Sequence, residues 1–444
     1  MFFNLFKKSG QDQEQKQAFE DKPPKPVESA PAVAVKHKPV SLPLEFLSRL
    51  IPIGKLPTEA LEKLPLHAAT FAPGATIFKQ GTYNDSLIYL VKGIVYLEAP
   101  NGSGQEITTG TLKALCPLTF GAKHQLTAFA KSDVMVIYVG SDQVSGKPNP
   151  RANFLADPEL APPVLKTNAF FKLFCRFYQS GNLVIPSLPS VAVKLRTAMQ
   201  GDIGINEAVK IISLDPAITA KLIQISNGAL YQTTVPSTSC LAAVSRLGLS
   251  TTRTIVTSIS LRHLFSSQQP EVNKRVQNIW KQSLRVSSIS QVLAGLTKAA
   301  TPDQALLAGL VHNIGLLPIL KFAETLKPDH FKLTDLDVCL PLIQAQLGSM
   351  ILSDWGFTES LVNIPLEVED WFHYESNKLD LTDIVLLAKY HSLLANNSNT
   401  ELPLLSTLPA YQKLGNNSLS PDMSLQVLQD AKQQIAEAMA LFTG

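Results

Sequence analysis

The feature that most constrains this chain is the run Ala305-Leu-Leu-Ala-Gly-Leu-Val-His312-Asn313-Ile-Gly-Leu-Leu-Pro-Ile-Leu320. It is apolar almost throughout, with one His-Asn pair set into its middle. Ala305, Ala308, Gly309 and Gly315 are small enough to let other helices approach closely. The run therefore predicts the central buried helix of an all-helical domain.

At 444 residues the chain is long enough for two or three domains, and 45% apolar with 17% charged residues is ordinary for a globular protein. The net charge is +3; residues 1–40 hold seven Lys against five acids, which leaves 32 basic against 31 acidic residues elsewhere. So neutral a body argues against a broad nucleic-acid surface. Cys116, Cys175, Cys240 and Cys339 lie far apart with no CxxC, which argues against a zinc site or disulfide framework and for a reducing cytoplasm. No 18-residue span free of charge reads as a membrane helix. Met1-Phe-Phe-Asn-Leu-Phe-Lys7-Lys8 is too short for a signal peptide; an amphipathic anchor and a frayed start both stay open.

Residues 1–41, rich in Gln, Lys, Glu and Pro, are expected to be a disordered leader. Short helical pieces follow to about Leu64, and then the period changes. Thr76–Phe78, Leu87–Val91, Ile94–Leu97, Gln105–Thr108 and Val134–Tyr138 are strand-length runs separated by turn residues. Residues 42–140 are thus expected to form a small all-β domain. The spacing of Pro73, Gly74, Ile77, Gly81, Asp85, Leu87, Tyr89, Gly93 and Val95 resembles the cyclic-nucleotide-binding domain, a jelly roll, with glycines turning corners at positive φ. That family holds its ligand with a Gly-Glu pair and an Arg, since a buried cyclic phosphate needs a guanidinium or several donors. Here those places fall at Thr111-Leu112 and Ala122, with Lys123 and His124 beside the latter as stand-ins for ligand contact. A Lys reproduces a bidentate grip poorly. The resemblance implies the fold but not the ligand.

Residues 141–160 are a linker by composition, and 161–400 are expected to be helical, beginning with a connecting helix over Val164–Tyr178. Asp215-Pro216 starts a helix with its cap and first-turn proline, while Gly248 and Gly356 close two others. Residues 401–444 form a helical extension opened by Ser420-Pro421-Asp422, with Leu425, Leu428, Ile435, Met439 and Phe442 as one stripe.

Five patches in order resemble the HDOD domain, a helical signalling module related to the HD phosphohydrolases, over roughly 180–395. They are Ile185-Pro-Ser-Leu-Pro189, Asp215-Pro216 to Asn227-Gly-Ala-Leu-Tyr231, Pro236-Ser-Thr, Leu247-Gly248, and Leu307 to Gly315. Asn227 and Tyr231, four apart, are expected to pair on one helix and fix the turn towards Pro236. An active HD enzyme converges an early His, a His-Asp pair and a later Asp on one or two metals, whose bound water becomes the nucleophile. Carrying the resemblance over, the early place holds Gln282, the pair is His312-Asn313, and the later place holds Lys389. A Lys ammonium repels a divalent cation where a carboxylate should attract it. Glu367, Glu369 and Asp370 with His373 form an acidic group nearby that reads as a solvated face.

The expectation is a two-domain bacterial signalling protein of the cytoplasm, non-catalytic, with no metal or cofactor, acting through protein partners. Gln282, His312, Asn313 and Lys389 would be vestigial metal-site positions that form a polar network. Two alternatives stand beside it. One is a ligand-gated sensor taking a nucleotide or cyclic nucleotide at Lys123, His124 or Lys389; the other is a residual metal-dependent phosphodiesterase. Oligomeric state is left open.

Overall fold

The structure, a computed structural model, describes residues 38–414 apart from 101, 122, 142–152, 202, 229–230, 232–233, 268, 327–330 and 396–401, together with positions 432, 436 and 439. The expected leader up to residue 37 lies outside the described residues, as does the Leu425–Phe442 stripe apart from Met439, which packs partly buried against the helical core. The stretch assigned to the leader ends in structure: β1 (Lys38–Pro39) pairs with β2 (His67–Phe71).

Between them lie two short helices, α1 (Leu44–Leu47) and α2 (Thr58–Glu62). The remaining strands are β3 (Thr76–Phe78), β4 (Ser86–Lys92), β5 (Ile94–Glu98), β6 (Gly104–Thr108), β7 (Thr127–Ala130) and β8 (Val134–Gly140), with α3 (Leu112–Leu115) after β6. They form two four-stranded antiparallel sheets, β1-β2-β8-β4 and β3-β7-β5-β6. Alternation sets the register: Val95 and Leu97 on β5, with Ala128 and Ala130 on β7, point inward and are almost fully buried. Gly93 carries the chain from β4 in one sheet to β5 in the other at φ +102°, where a Cβ would stand 2.4 Å from the Asp133 carbonyl oxygen. Leu47, Leu50, Ile53 and Leu61 close one face of this domain over Leu87, Tyr89, Ile137 and Val139.

The rest is helical. α4 (Pro163–Lys166) and α5 (Ala169–Gln179) replace the single connecting helix expected over Val164–Tyr178. The break comes at Asn168, whose side chain caps α5 by accepting from Phe171 N at 2.9 Å. Phe170, Phe171 and Phe174 bury one face of α5 against Phe322, Ile343 and Leu347. Next come α6 (Ser190–Met199), α7 (Ile205–Ile212) and α8 (Pro216–Ser226), the last opened by Asp215 as expected. α9 (Cys240–Leu261) breaks at Gly248, which has φ +77°. α10 (Pro270–Thr297), α11 (Pro302–Val311) and α12 (Leu316–Thr325) follow. α13 (Leu333–Asp354), α14 (Glu359–Val362), α15 (Ile364–Glu367), α16 (Leu381–Ala395) and α17 (Pro409–Gln412) complete the described helices.

The central run is therefore not one helix, as the sequence suggests, but two. From His312 to Gly315 the chain changes to three-residue turns: Ile314 N donates to Val311 O, Leu316 N to Asn313 O and Leu317 N to Ile314 O. Close packing against α13 goes with the break. A Cβ at Gly315 would lie 2.0 Å from Gln344 O and 2.6 Å from Gly348 N, both backbone atoms that cannot rotate aside. Gly309 plays the same part towards α10, with a Cβ position 2.6 Å from Ser287 Cα. Gly315→Ala is accordingly expected to cost about 2–3 kcal/mol by overpacking, read as a lower urea midpoint at unchanged slope. An unchanged midpoint would show that α12 and α13 can separate freely.

Two stretches, Pro302–Thr325 and Thr334–Asp354, are long and apolar enough to cross a membrane by length and composition, though neither holds an 18-residue span free of charge. Within the fold 89% and 56% of their apolar windows are buried by protein, and the first is interrupted by the turn at His312.

Asn227 and Tyr231 do not pair, because α8 ends at Ser226 and the two do not share a helix. Asn227 instead clamps Ser237 through both backbone groups, at 2.8 and 2.7 Å, and so holds the turn after Pro236. Tyr231 Oη donates to Asp303 Oδ1 at 2.6 Å.

Candidate functional site

The turn between α11 and α12 places His312 and Asn313 in the domain interior, at 1% and 4% exposure. His312 Nδ1 lies 2.7 Å from Gly309 O; a carbonyl only accepts, so Nδ1 carries the proton and Nε2 is the bare nitrogen. Burial first, and the Lys389 ammonium second, push the His312 pKa down to about 3. The imidazole is thus neutral at physiological pH.

Asn313 Oδ1 meets Ser283 Oγ on α10 at 2.8 Å. That hydroxyl also lies 2.9 Å from Ile279 O, and its single hydrogen serves one acceptor at a time. The contact expected of Gln282 belongs to Ser283: Gln282 is half-buried one residue away, on a neighbouring face of α10. Ser283, Ser287 and Ser290, at i, i+4 and i+7, mark the buried stripe, a signal that was present in the sequence.

Lys389, on α16, is brought close enough to His312 to act on its charge, as expected, but it is not a lone cation. Its Nζ lies 2.7 Å from Glu369 Oε1 and 3.2 Å from Val368 O, and 5.4 Å from the centre of the Trp371 ring. Gln344 Nε2, on α13, donates to the same Glu369 oxygen at 2.5 Å. Gln344 comes from a helix distant in sequence, and no local pattern marks it. The acidic group expected as one face divides in two. Glu369 turns inward to Lys389, while Glu367 accepts from Thr382 Oγ1 at 2.7 Å and stands 3.8 Å from His373 Nε2. Ligand-capable atoms of Glu367, His373 and Glu375 lie within 4.8 Å of one another, with Glu375 exposed. His391 is buried, and burial lowers its pKa to about 4.

In the β domain, Lys123 is exposed and bridges Tyr83 at the sheet margin. His124 turns inward, stacks on Phe78 with ring centres 4.2 Å apart, and meets Thr119 Oγ1 at 3.0 Å. These two adjacent residues therefore face different surroundings, and neither lies with Lys389. All four cysteines are free and buried, and burial raises the Cys116 and Cys339 thiols to about 12, leaving them poor thiolate ligands.

The residues at the HD positions do not fit a divalent cation. An ion there would face an ammonium already paired at 2.7 Å with the nearby carboxylate, an amide already engaged with a serine, and one neutral imidazole. Anionic ligands that would offset the ion's desolvation are lacking, because Glu369 is neutralised by the protein's own cation.

A family model for the HDOD domain matches residues 185–370, and this stretch is an HDOD domain. A Treponema pallidum (strain Nichols) protein named "Uncharacterized protein" is 26% identical over 194 residues, 40% of this chain and 36% of its own length. The chain thus spans about a third of that relative. A crystal structure from Shewanella amazonensis SB2B, named "Putative metal-dependent phosphohydrolase", is 26% identical with a TM-score of 0.54, covering 63% of this chain and 99% of its own. A crystal structure from Ruegeria pomeroyi DSS-3, named "putative cyclic nucleotide binding protein", is 17% identical with a TM-score of 0.20, covering 35% of this chain and 69% of its own. That last likeness carries no argument; the two antiparallel sheets stand on their own geometry.

Proposed function

We propose that this chain is a non-catalytic regulatory protein of the bacterial cytoplasm. Its HDOD domain would act through protein contacts, with the β domain as input or scaffold. The observation that carries the reading is the Lys389–Glu369 pair, 11% and 26% exposed in its side chains, beside a neutral His312. An internal ammonium holds the place where hydrolysis would need a metal, and Gln344 steadies the carboxylate that answers it. The activity named for the Shewanella structure is that protein's; the donor set here favours binding over turnover. The match of residues 185–370 to a signalling module supports the regulatory half.

Full-length protein incubated with Mn2+ or Zn2+ and then desalted is expected to retain less than about 0.1 ion per chain. It is also expected to show no hydrolysis of cyclic dinucleotides. A full equivalent of retained metal, with hydrolysis lost in His312→Ala, would replace this reading with a residual phosphodiesterase.

A further inference from the structure

A cavity of about 430 Å3 shares no lining residue with the Lys389–Glu369 pair and its partners. It opens between the first turns of α8, the end of α9 with the 3-10 turn Arg262–Leu264 that follows, and α10. Lys221, Arg262 and His263 line it together with Gln277, Phe265 and Trp280, and none of its lining among the described residues is acidic. Lys221 stands where burial and the nearby Arg262 guanidinium both disfavour its charge. Among the described residues no carboxylate pairs with Lys221. Asp215, the acid at that end of α8, is engaged as the helix cap, accepting from Ala217 N and Ile218 N at 2.9 and 3.0 Å.

Lys221 and Arg262 place two cationic side chains at one concave space, where an anion would meet both. Aromatic residues line the same space. The Phe265 and Trp280 rings lie 4.8 Å apart, and Gln277 Nε2 holds the Phe265 carbonyl at 2.8 Å. Basic and aromatic side chains lining one space, in a volume within the range of roughly 300–1,000 Å3 of small-molecule sites, suit an amphiphilic anion.

We propose that this cavity binds a small phosphorylated molecule with a flat apolar body, its phosphate between Lys221 and Arg262 and its body against Trp280 and Phe265. Such a site would supply the domain with a ligand input. It does not depend on whether the Lys389 region is catalytically silent, since no residue is shared.

The test uses the full-length protein, with adenosine 5′-monophosphate, guanosine 5′-monophosphate, cyclic AMP and pyridoxal 5′-phosphate as probes. Adenosine and inorganic phosphate separate the two halves of the ligand. At millimolar concentration at least one phosphorylated probe is expected to raise the melting temperature by about 3 °C and to change the Trp280 fluorescence. Lys221→Glu and Arg262→Gln are each expected to weaken that binding about tenfold, with unchanged far-UV circular dichroism. Trp280→Phe should abolish the fluorescence change. The proposal is overturned if no probe shifts the melting temperature, if both charge variants bind as the parent does, or if inorganic phosphate acts as strongly as every probe.

Discussion

Lys413→Met is expected to destabilise the protein by about 3–5 kcal/mol, because it strands a carboxylate in the interior. Lys413 Nζ lies 3.0 and 2.9 Å from the two Asp383 oxygens, with side-chain exposures of 4% and 0%. Burial pushes the Asp383 carboxyl upward and Lys413 pulls it back. Without the ammonium only the Asp380 backbone N–H, 3.0 Å from Asp383 Oδ2, opposes the upward push, and Asp383 favours the proton more strongly in the native state. A group whose folded pKa is raised gains native stability as pH falls through that pKa, so the deficit should shrink on acidification. Urea unfolding at pH 7.5 and at pH 5 measures both effects. A loss below about 1 kcal/mol at pH 7.5 would sink the argument that this pair is sealed from water.

The same substitution reaches the other domain. Gln412, beside Lys413, donates to Phe120 O at 2.7 Å, and Phe120 packs near Phe372 and Tyr374 at 6.0 and 6.3 Å. Loosening α17 should therefore raise amide exchange around residues 118–121. Lys389→Met is the milder comparison, because Glu369 keeps 26% exposure and can turn to water.

The second large effect is acid sensitivity. His312 is held near a pKa of about 3 and His391 near about 4, both chiefly by burial. An unfolded chain restores ordinary imidazoles at about 6.5, so between those values the unfolded state binds more protons. The stability each histidine contributes is complete above pH 6.5 and is lost as pH falls towards its folded pKa. Each contributes a slope of up to about 1.4 kcal/mol per pH unit in that window. His312→Asn, whose amide can still donate to Gly309 O, is expected to remove close to one proton from the slope between pH 6 and 4.5. Equal slopes for variant and parent in denaturant titrations would mean His312 is solvated or already charged.

Much of the architecture was legible because it rests on local rules. Asp215-Pro216 opens α8 through a cap and a fixed φ, Gly248 and Gly356 break or end helices at positive φ, and five strand-length runs between Thr76 and Tyr138 put a β domain before the helices, though β1, β2 and β7 were not among them. Several of the HDOD patches sit where the chain turns or packs closely: Asn227 clamps Ser237, and Gly309 and Gly315 admit neighbouring backbones. The resemblance, read with residue type, put an ammonium, two amides and a single imidazole at the HD positions.

Partnership was another matter, since it depends on which elements meet. Nothing in the order of residues assigns Glu369 to Lys389 instead of to Glu367 and His373, or brings Gln344 to the same oxygen from α13. The split of the apolar run at His312 was hidden, because Ala305–Leu320 has helical composition on both sides of the turn and only the fit against α13 requires it. The Lys221–Arg262 cavity joins residues some forty apart that no period relates. Helix caps, periodicity and the identity of the charges are properties of neighbours along the chain and were determined by the sequence. Which charge faces which, and how far each is removed from water, was decided by packing of distant segments, because electrostatic energy in an interior depends on position and burial and not on order.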